Sequence, residues 1–567
     1  MTSETRVCQN CKQQFVIEPQ DFSFYEKIQV PPPTWCPECR LIRRFSYSNI
    51  HNLYKRSCAK CGKGTITMYS SDKLVTVYCS SCWWGDAWDG TEFGMKYDPS
   101  RPFFAQLREL ARRTPYQALE QMHLTMTNSE YTNGVSHLKN CYLLFWADYC
   151  ENALYSTTLN GLKDSADCYR MKESELCYED VGCNKCYHTF FSEECDACTD
   201  SWFLRGCQGC VNCFACINMR NKSYCIFNEQ YTKEAYAEKL KSFHLDSFVA
   251  LREMRKRVYE FWMKYPRREY SGSSLNVNVT GDYIYESRNT KDGYLVVGAE
   301  NCRYVQGLSV PRTKDSYDYS GWGDGAELVY ECTVVGNGVN TVKFSNECWP
   351  NVSNLEYCMW ATACKNSFGC INLKRKEYCI LNTQYSKDEY EKLVVQIKED
   401  MAKNPYKDKN GRTWAYGEFL PIDICPFAYN ETISYEWFPK TKEEVRAMGL
   451  EWYEGEGNPY TITKQARDLP DRTGEISDSI LKEVIACETC GKAFRYVQAE
   501  LNLLRRFVLP LPHQCPNCRH KARFARTNLP YLYDRTCQKC GKEIKTSYAP
   551  DRKEIVYCVE CYQAEIV

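Results

Sequence analysis

Short runs rich in Tyr, Phe and Cys alternate with Asn, Asp, Ser and Gly through the centre of the chain, a pattern that predicts strands separated by turns. Cys168, Cys177, Cys186 and Cys195 stand nine residues apart, and so do Cys198, Cys207, Cys216 and Cys225. A fixed short period of this kind predicts the stacked coils of a β-solenoid, with equivalent side chains forming ladders. Other stretches read as helices. Over 99–121 Leu107, Leu110 and Ala111 share one face, helical segments begin near Thr232 and Ser386, and a further stretch runs from Ser477 to Ala486. Ser386 and Glu389 have the spacing of a capping box. Between Asn404 and Gly474 the chain is aromatic and turn-rich and follows neither period.

Two internal duplications organise these elements. Cys8/Cys11, Cys36/Cys39, Cys58/Cys61 and Cys79/Cys82 recur, each 479 residues on, as Cys487/Cys490, Cys515/Cys518, Cys537/Cys540 and Cys558/Cys561. The same shift maps Arg40, Arg44, Phe45, Asn49 and Arg56 onto Arg519, Arg523, Phe524, Asn528 and Arg535. In the middle, Cys216–Tyr231 repeats as Cys370–Tyr385. The chain therefore reads as mainly β with helices: two terminal zinc-ribbon modules flank a duplicated, Cys/Tyr-rich β-solenoid region, and a helix follows each solenoid copy. The expected boundaries are a module over 1–90, a helical connector over 91–130, solenoid copies over 131–231 and 275–385, helical segments over 232–270 and 386–403, a connecting region over 404–480 and the second module over 481–567.

Lys plus Arg and Asp plus Glu both total 72, so net charge names no partner. The distribution says more. Residues 1–90 and 482–567 carry net charges of +3 and +6, against −9 for the middle. No basic-then-apolar leader opens the chain and no long apolar stretch interrupts it, which predicts a cytoplasmic protein without a membrane span. In a reducing compartment 37 cysteines point to metal or free thiols before disulfides.

Each Cys-x-x-Cys turn presents two thiolates, and two turns complete a tetrahedral zinc site. Two sites per module, about four zinc ions per chain, are expected. Sequential pairing of the turns is the first choice and a cross-braced one the alternative. The ligands are Cys8, Cys11, Cys36, Cys39, Cys58, Cys61, Cys79 and Cys82, then Cys487, Cys490, Cys515, Cys518, Cys537, Cys540, Cys558 and Cys561. Four Cys per ion leave no open position for water, which predicts a structural metal. The segment from Val16 to Pro33, followed by Cys36-Pro-Glu-Cys-Arg40, Asn52–Arg56, Val77-Tyr-Cys79 and Cys82-Trp-Trp84, resembles the probable zinc-ribbon family of uncharacterised bacterial proteins from small-genome, uncultivated lineages. The resemblance implies zinc and no activity.

The first solenoid copy adds Cys183/Cys186, Cys195/Cys198, Cys207/Cys210 and Cys213/Cys216, but the second keeps no Cys-x-x-Cys pair. Stacked core thiols account for both copies better than further metal. Basic residues interleaved with aromatics in the end modules suit phosphate contact and base stacking, RNA before DNA. The candidates are Arg40, Arg44, Arg56, Arg519, Arg523, Arg526 and Arg535, with Phe45 and Phe524 as stacking platforms. The competing view has these arginines on a solvated face or satisfying carbonyls, with the phenylalanines in the core. A protein-interaction scaffold using aromatics such as Trp83, Trp84 and Trp88 is the alternative function. An enzyme working in a solenoid groove comes third, since no nucleotide-binding loop, nucleophile elbow or zinc-protease motif is present. No catalytic residue is assigned.

Overall fold

The computed structural model describes residues 2–273, 275–455, 457 and 460–566. The chain divides into two compact units, each built from separated segments: 1–119 with 270–454, and 120–269 with 455–567. The N-terminal ribbon module thus shares a unit with the second solenoid copy, and the C-terminal module shares one with the first.

The solenoid backbone repeats in triplets. In each triplet one residue points inward, the next points outward and the third has positive φ; in the first solenoid this third position includes His137, Asn140, Leu143, Trp146, Tyr149 and Asn152. An extended pair followed by a left-handed residue turns the chain through a corner, and four corners close a coil. Outward residues accordingly pair in parallel twelve apart, as Lys139 with Glu151 and Tyr142 with Leu154. Asn and Asp tolerate the left-handed corner better than other non-glycine residues, which explains their recurrence there. The nine-residue cysteine spacing is three sides of this twelve-residue coil. In the second solenoid the coils widen locally, pairing Arg303 with Tyr317 and Tyr317 with Tyr330, and return to twelve from Ser353 to Lys365.

Such a narrow coil holds compact inward side chains, Cys and Ala with Leu144, Leu159 and Met171 among them, and it leaves the inward N–H without a backbone acceptor. Serine meets both conditions. Ser156 Oγ donates to the Leu154 carbonyl at 2.7 Å and accepts from the Cys168 N–H of the next coil at 2.9 Å. Ser174 and Ser201 repeat the arrangement. Cysteine uses the same geometry: Cys177 Sγ donates to the Glu175 carbonyl at 3.4 Å and Cys216 Sγ to that of Phe214 at 3.3 Å. Consecutive inward positions lie three apart, so any two adjacent inward cysteines read as Cys-x-x-Cys. The solenoid pairs are therefore inward residues on adjacent sides of one coil, and no three lumen thiols among the described residues have sulfurs within 4.8 Å of one another.

The duplicated motif in the middle caps each stack. Asn228 accepts from Ile217 N at 2.9 Å and donates to Ile217 O at 3.1 Å; Asn382 does the same to Ile371 at 2.8 Å each. The side-chain amide replaces the backbone of the coil that would come next, which protects the open edge. The helices Lys233–Lys241 and Lys387–Lys403 then start at Thr232 and Ser386, and the Ser386–Glu389 capping box is present. The helix predicted over 99–121 spans Phe103–Arg113. The stretch around Ser477–Ala486 is instead one 3-10 turn over Asp478–Lys482 and a strand over Ile485–Ala486, because β-branched Val484 and Ile485 run into the pairing with Lys464 and Phe494. The connecting region divides between units. Trp414, Phe419, Leu420 and Ile424 enter the core of one, and Ala466, Leu469, Ile476 and Ile480 that of the other.

Two stability predictions follow from the inward positions. Ser156→Ala orphans a buried N–H and should lower the urea midpoint by an amount worth about 1–3 kcal/mol, whereas Ser156→Cys should cost less than about 1 kcal/mol. Asp180 stands at an inward position, accepting from Ser192 N at 2.7 Å and Thr189 Oγ1 at 2.5 Å. Burial pushes its carboxyl up to about 7, so the fold favours the neutral acid. The unfolded chain ionises near pH 4, so native stability drains away as pH rises from about 4 to about 7. Asp180→Asn should match the parent at pH 4 in thermal melts and exceed it at pH 8, by up to roughly 4 kcal/mol.

Candidate metal centres and arginine clasps

The sixteen terminal cysteines fall into four sets by sequential pairing of turns: Cys8, Cys11, Cys36 and Cys39; Cys58, Cys61, Cys79 and Cys82; Cys487, Cys490, Cys515 and Cys518; Cys537, Cys540, Cys558 and Cys561. Within each set all sulfurs lie within 4.8 Å of one another. Measured edges are 3.7 Å for Cys11–Cys36, 3.9 Å for Cys61–Cys79 and 3.8 Å for both Cys490–Cys515 and Cys540–Cys558. A tetrahedron of sulfurs about 2.3 Å from a central ion has edges of about 3.8 Å, so each set is compatible with a bound metal ion.

The turns favour the thiolate at the first cysteine of each set. Cys36 N and Cys79 N donate to Cys8 Sγ and Cys58 Sγ at 3.2 Å, and Cys515 N donates to Cys487 Sγ at 3.2 Å. Burial alone raises the Cys58 thiol, yet the backbone N–H groups of Cys79, Cys61 and Lys60 outweigh it and bring Cys58 down to about 6. Cys487 and Cys537 are lowered to about 7 and about 6 by the same balance. Gly62 and Gly541 follow the second cysteine of equivalent turns with φ near +72° and +75°, where a side chain would be strained.

The second turn of each module also caps a helix. Cys36 is the N-cap of Pro37–Phe45 and Cys515 that of Pro516–Phe524, both with proline in the first turn. This geometry aims the duplicated arginines inward. Arg40 and Arg44 reach Asp318 at 2.9 and 3.1 Å, and Arg519 and Arg523 reach Asp167 at 2.5 and 2.6 Å. Both aspartates are left-handed corner residues of a solenoid coil, with φ of 50° and 57°. Each of these helices is thus clasped to the solenoid of its own unit by an equivalent pair of guanidiniums.

Further charges complete each network. In the first, Arg40 reaches Glu331, Arg44 reaches it at 3.4 Å, and Arg43 pairs with Glu331 and Glu418 at 2.9 and 2.7 Å. In the second, Glu500 is ion-paired with Arg519 at 2.9 Å and accepts from Tyr155 Oη at 2.8 Å. The clasp arginines Arg40, Arg44, Arg519 and Arg523 are at most 3% exposed. These four guanidiniums, nominated from sequence as phosphate ligands, are committed to buried carboxylates. Arg56 donates to the carbonyls of Ser70, Lys73 and Val75, and Arg535 to that of Ala549. Arg526 pairs with Glu193 at 3.5 Å. Phe45 is buried against Trp437, and Phe524 meets Tyr169 edge-on.

The tryptophans nominated for a partner surface are also turned inward: Trp83 and Trp88 are buried. With Trp84 they box the ammonium of Lys374, which lies 4.1 Å from the Trp83 ring centre and 4.6 Å from that of Trp88 and donates to the Trp83 carbonyl. Burial pushes this lysine down to about 8. Sequence reasoning missed Asp167, Asp318, Glu331 and Glu500. The available signal was the spacing of Arg40 and Arg44, i and i+4 on a helix, which puts both on one face.

Among the described residues no helix is long and apolar enough to cross a membrane. No protein-family model matches this chain, and no curated protein matches it.

Removing one partner of a buried ion pair strands the other. Asp167→Asn and Asp318→Asn should each lower stability by about 3–5 kcal/mol in urea titrations of metal-loaded protein. Exposed Lys521→Ala should change it by less than about 0.5 kcal/mol.

Proposed function

We propose that the protein is a zinc-braced, non-enzymatic scaffold whose solenoid faces bind a protein partner. The inward commitment of Arg40, Arg44, Arg519 and Arg523 carries this reading: the features duplicated with the metal sites hold the molecule together. Zinc is the metal we assign, because a closed set of four thiolates is its usual structural site and offers no position for a reacting water. The resemblance to bacterial zinc ribbons agrees with that choice. Thirty-seven free cysteines suit a reducing compartment such as the cytoplasm.

The outward corners support the binding role. Asn128, Asn140, Asn152 and Asp164 form an exposed ladder with Nδ2–Oδ1 distances of 3.1, 3.1 and 2.9 Å. Asn278, Asn289, Asn301 and Asp315 form another at 3.0, 3.2 and 3.1 Å. Regular polar ladders of this kind suit an extended partner laid along the coils.

The test combines metal content with nucleic-acid binding. Elemental analysis should find about four zinc per chain. A single-stranded RNA oligonucleotide should fail to bind at about 0.15 M salt, where exposed charges are screened beyond roughly 8 Å. RNA binding at that salt, reduced at least tenfold by Arg526→Ala with Arg535→Ala, would replace the scaffold reading with a nucleic-acid one. Metal content far below four would remove the zinc assignment.

A further inference from the structure

A cavity of about 450 Å³ opens in the unit formed by 1–119 and 270–454, between the helix Phe103–Arg113 and segments from the region 406–451. Its volume is in the range of small-molecule sites, which run from about 300 to 1,000 Å³. Its lining is chemically uneven. Five cations, Arg108, Arg112, Lys407, Lys409 and Arg412, face three acids, Asp408, Asp423 and Glu451.

Most of these charges are already paired. Arg412 binds Asp408 at 2.6 Å, Arg108 binds Asp423 at 3.0 Å, and Glu451 is held by Lys73 at 3.1 Å. The side chains of Arg112, Lys407 and Lys409 hold no hydrogen bond or ion pair among the described residues, and all three residues are exposed at the cavity. Three unpaired cations around one opening call for an anion.

The interior makes a second demand. Asp408 is saturated by the N–H groups of Asn410 and Arg412, the Arg412 guanidinium and the Trp414 indole. Asp423 is not. Its Oδ2 accepts from Tyr406 Oη and Arg108, but its Oδ1 is buried without a partner. A buried carboxylate oxygen left unpaired is costly, and a donor such as a hydroxyl would satisfy it. Ile422, Phe427, Tyr429 and Leu450 supply the apolar and aromatic part of the wall. Cys425 also lines the cavity, but burial pushes its thiol up to about 12 and it donates to the Ser46 carbonyl at 3.0 Å, so it stays a neutral wall group.

We propose that this cavity binds a nucleoside monophosphate, with the phosphate at Arg112, Lys407 and Lys409, a ribose hydroxyl donating to Asp423 Oδ1, and the base against the aromatic wall. The site is independent of the scaffold role and of the metal centres.

Isothermal titration of the full, zinc-loaded protein with adenosine 5′-monophosphate, adenosine and inorganic phosphate tests it. The monophosphate should bind at least tenfold more tightly than either fragment. Arg112→Gln with Lys409→Gln, both at exposed positions, should weaken it at least tenfold while leaving zinc content and melting temperature unchanged. Asp423→Asn should weaken the monophosphate and adenosine alike and leave phosphate unaffected. No binding of the monophosphate at millimolar concentration, equal binding of adenosine, or indifference to the double substitution would overturn the proposal.

Discussion

The left-handed residue at every third position is the constraint from which the rest of the structure descends. It fixes the coil at four short sides, and that narrow section is filled by compact inward side chains, Cys, Ala and Leu above all. It also leaves one N–H per side without a backbone acceptor, a debt met by serine at several sides, by the carboxylate of Asp180 at one and by Cys332 Sγ at another. A buried donor left unpaired costs about as much as one good core contact contributes, so inward chemistry is restricted on grounds of hydrogen bonding as well as volume. Cysteine suits the position because it fills slightly more space than serine and still carries a weak donor.

The outside of such a stack carries an apolar face, with Tyr178, Phe190, Phe203 and Phe214 packed in one core with Phe494, Leu501 and Phe507 of the module in the same unit. The ribbon modules add a charged attachment to that apolar one. Metal ligation by four thiolates would fix the turn that starts each helix, and the helix presents two guanidiniums to one corner aspartate. Desolvating those charges is expensive, and only close pairing recovers the cost. The pairing is therefore demanding in geometry: a helix displaced by one residue would rotate both arginines away from Asp167 or Asp318. The clasp and the metal depend on each other, since the knuckle sets the helix and the clasp gives the knuckle a surface to rest on.

Much of this was legible in the sequence, and the parts that were not share a cause. The metal ligands could be read because their spacing is a local property repeated 479 residues apart. The solenoid could be read from periodic cysteines, but its period could not: Cys168, Cys177 and Cys186 advance by three sides each, so the spacing mimics a nine-residue repeat while the coil has twelve. The role of the arginines was hidden because a basic helix face looks the same whether it meets phosphate, water or a carboxylate brought from 274 to 356 residues away. The region after Asn404 gave no pattern because it fills the cores of two different units and answers to neither helical nor strand periodicity.

The two modules show what duplication preserved and what it released. Arg40 and Arg519 stand at equivalent positions, each sharing a corner aspartate with the arginine one turn on. Asp21 and Glu500 are also equivalent by the 479-residue shift, yet their partners differ: Asp21 takes Arg303 of the solenoid at 2.8 Å, whereas Glu500 takes Arg519 of its own module. The first network holds a third arginine, Arg43, balanced by Glu331 and Glu418; position 522 in the second module is alanine, and the smaller network balances without it. What is common to both is the triad of knuckle, helix and corner aspartate. Charge compensation around it was rebuilt separately in each unit, which is the outcome expected when the buried arginines must be neutralised and the identity of the neutralising carboxylate is free.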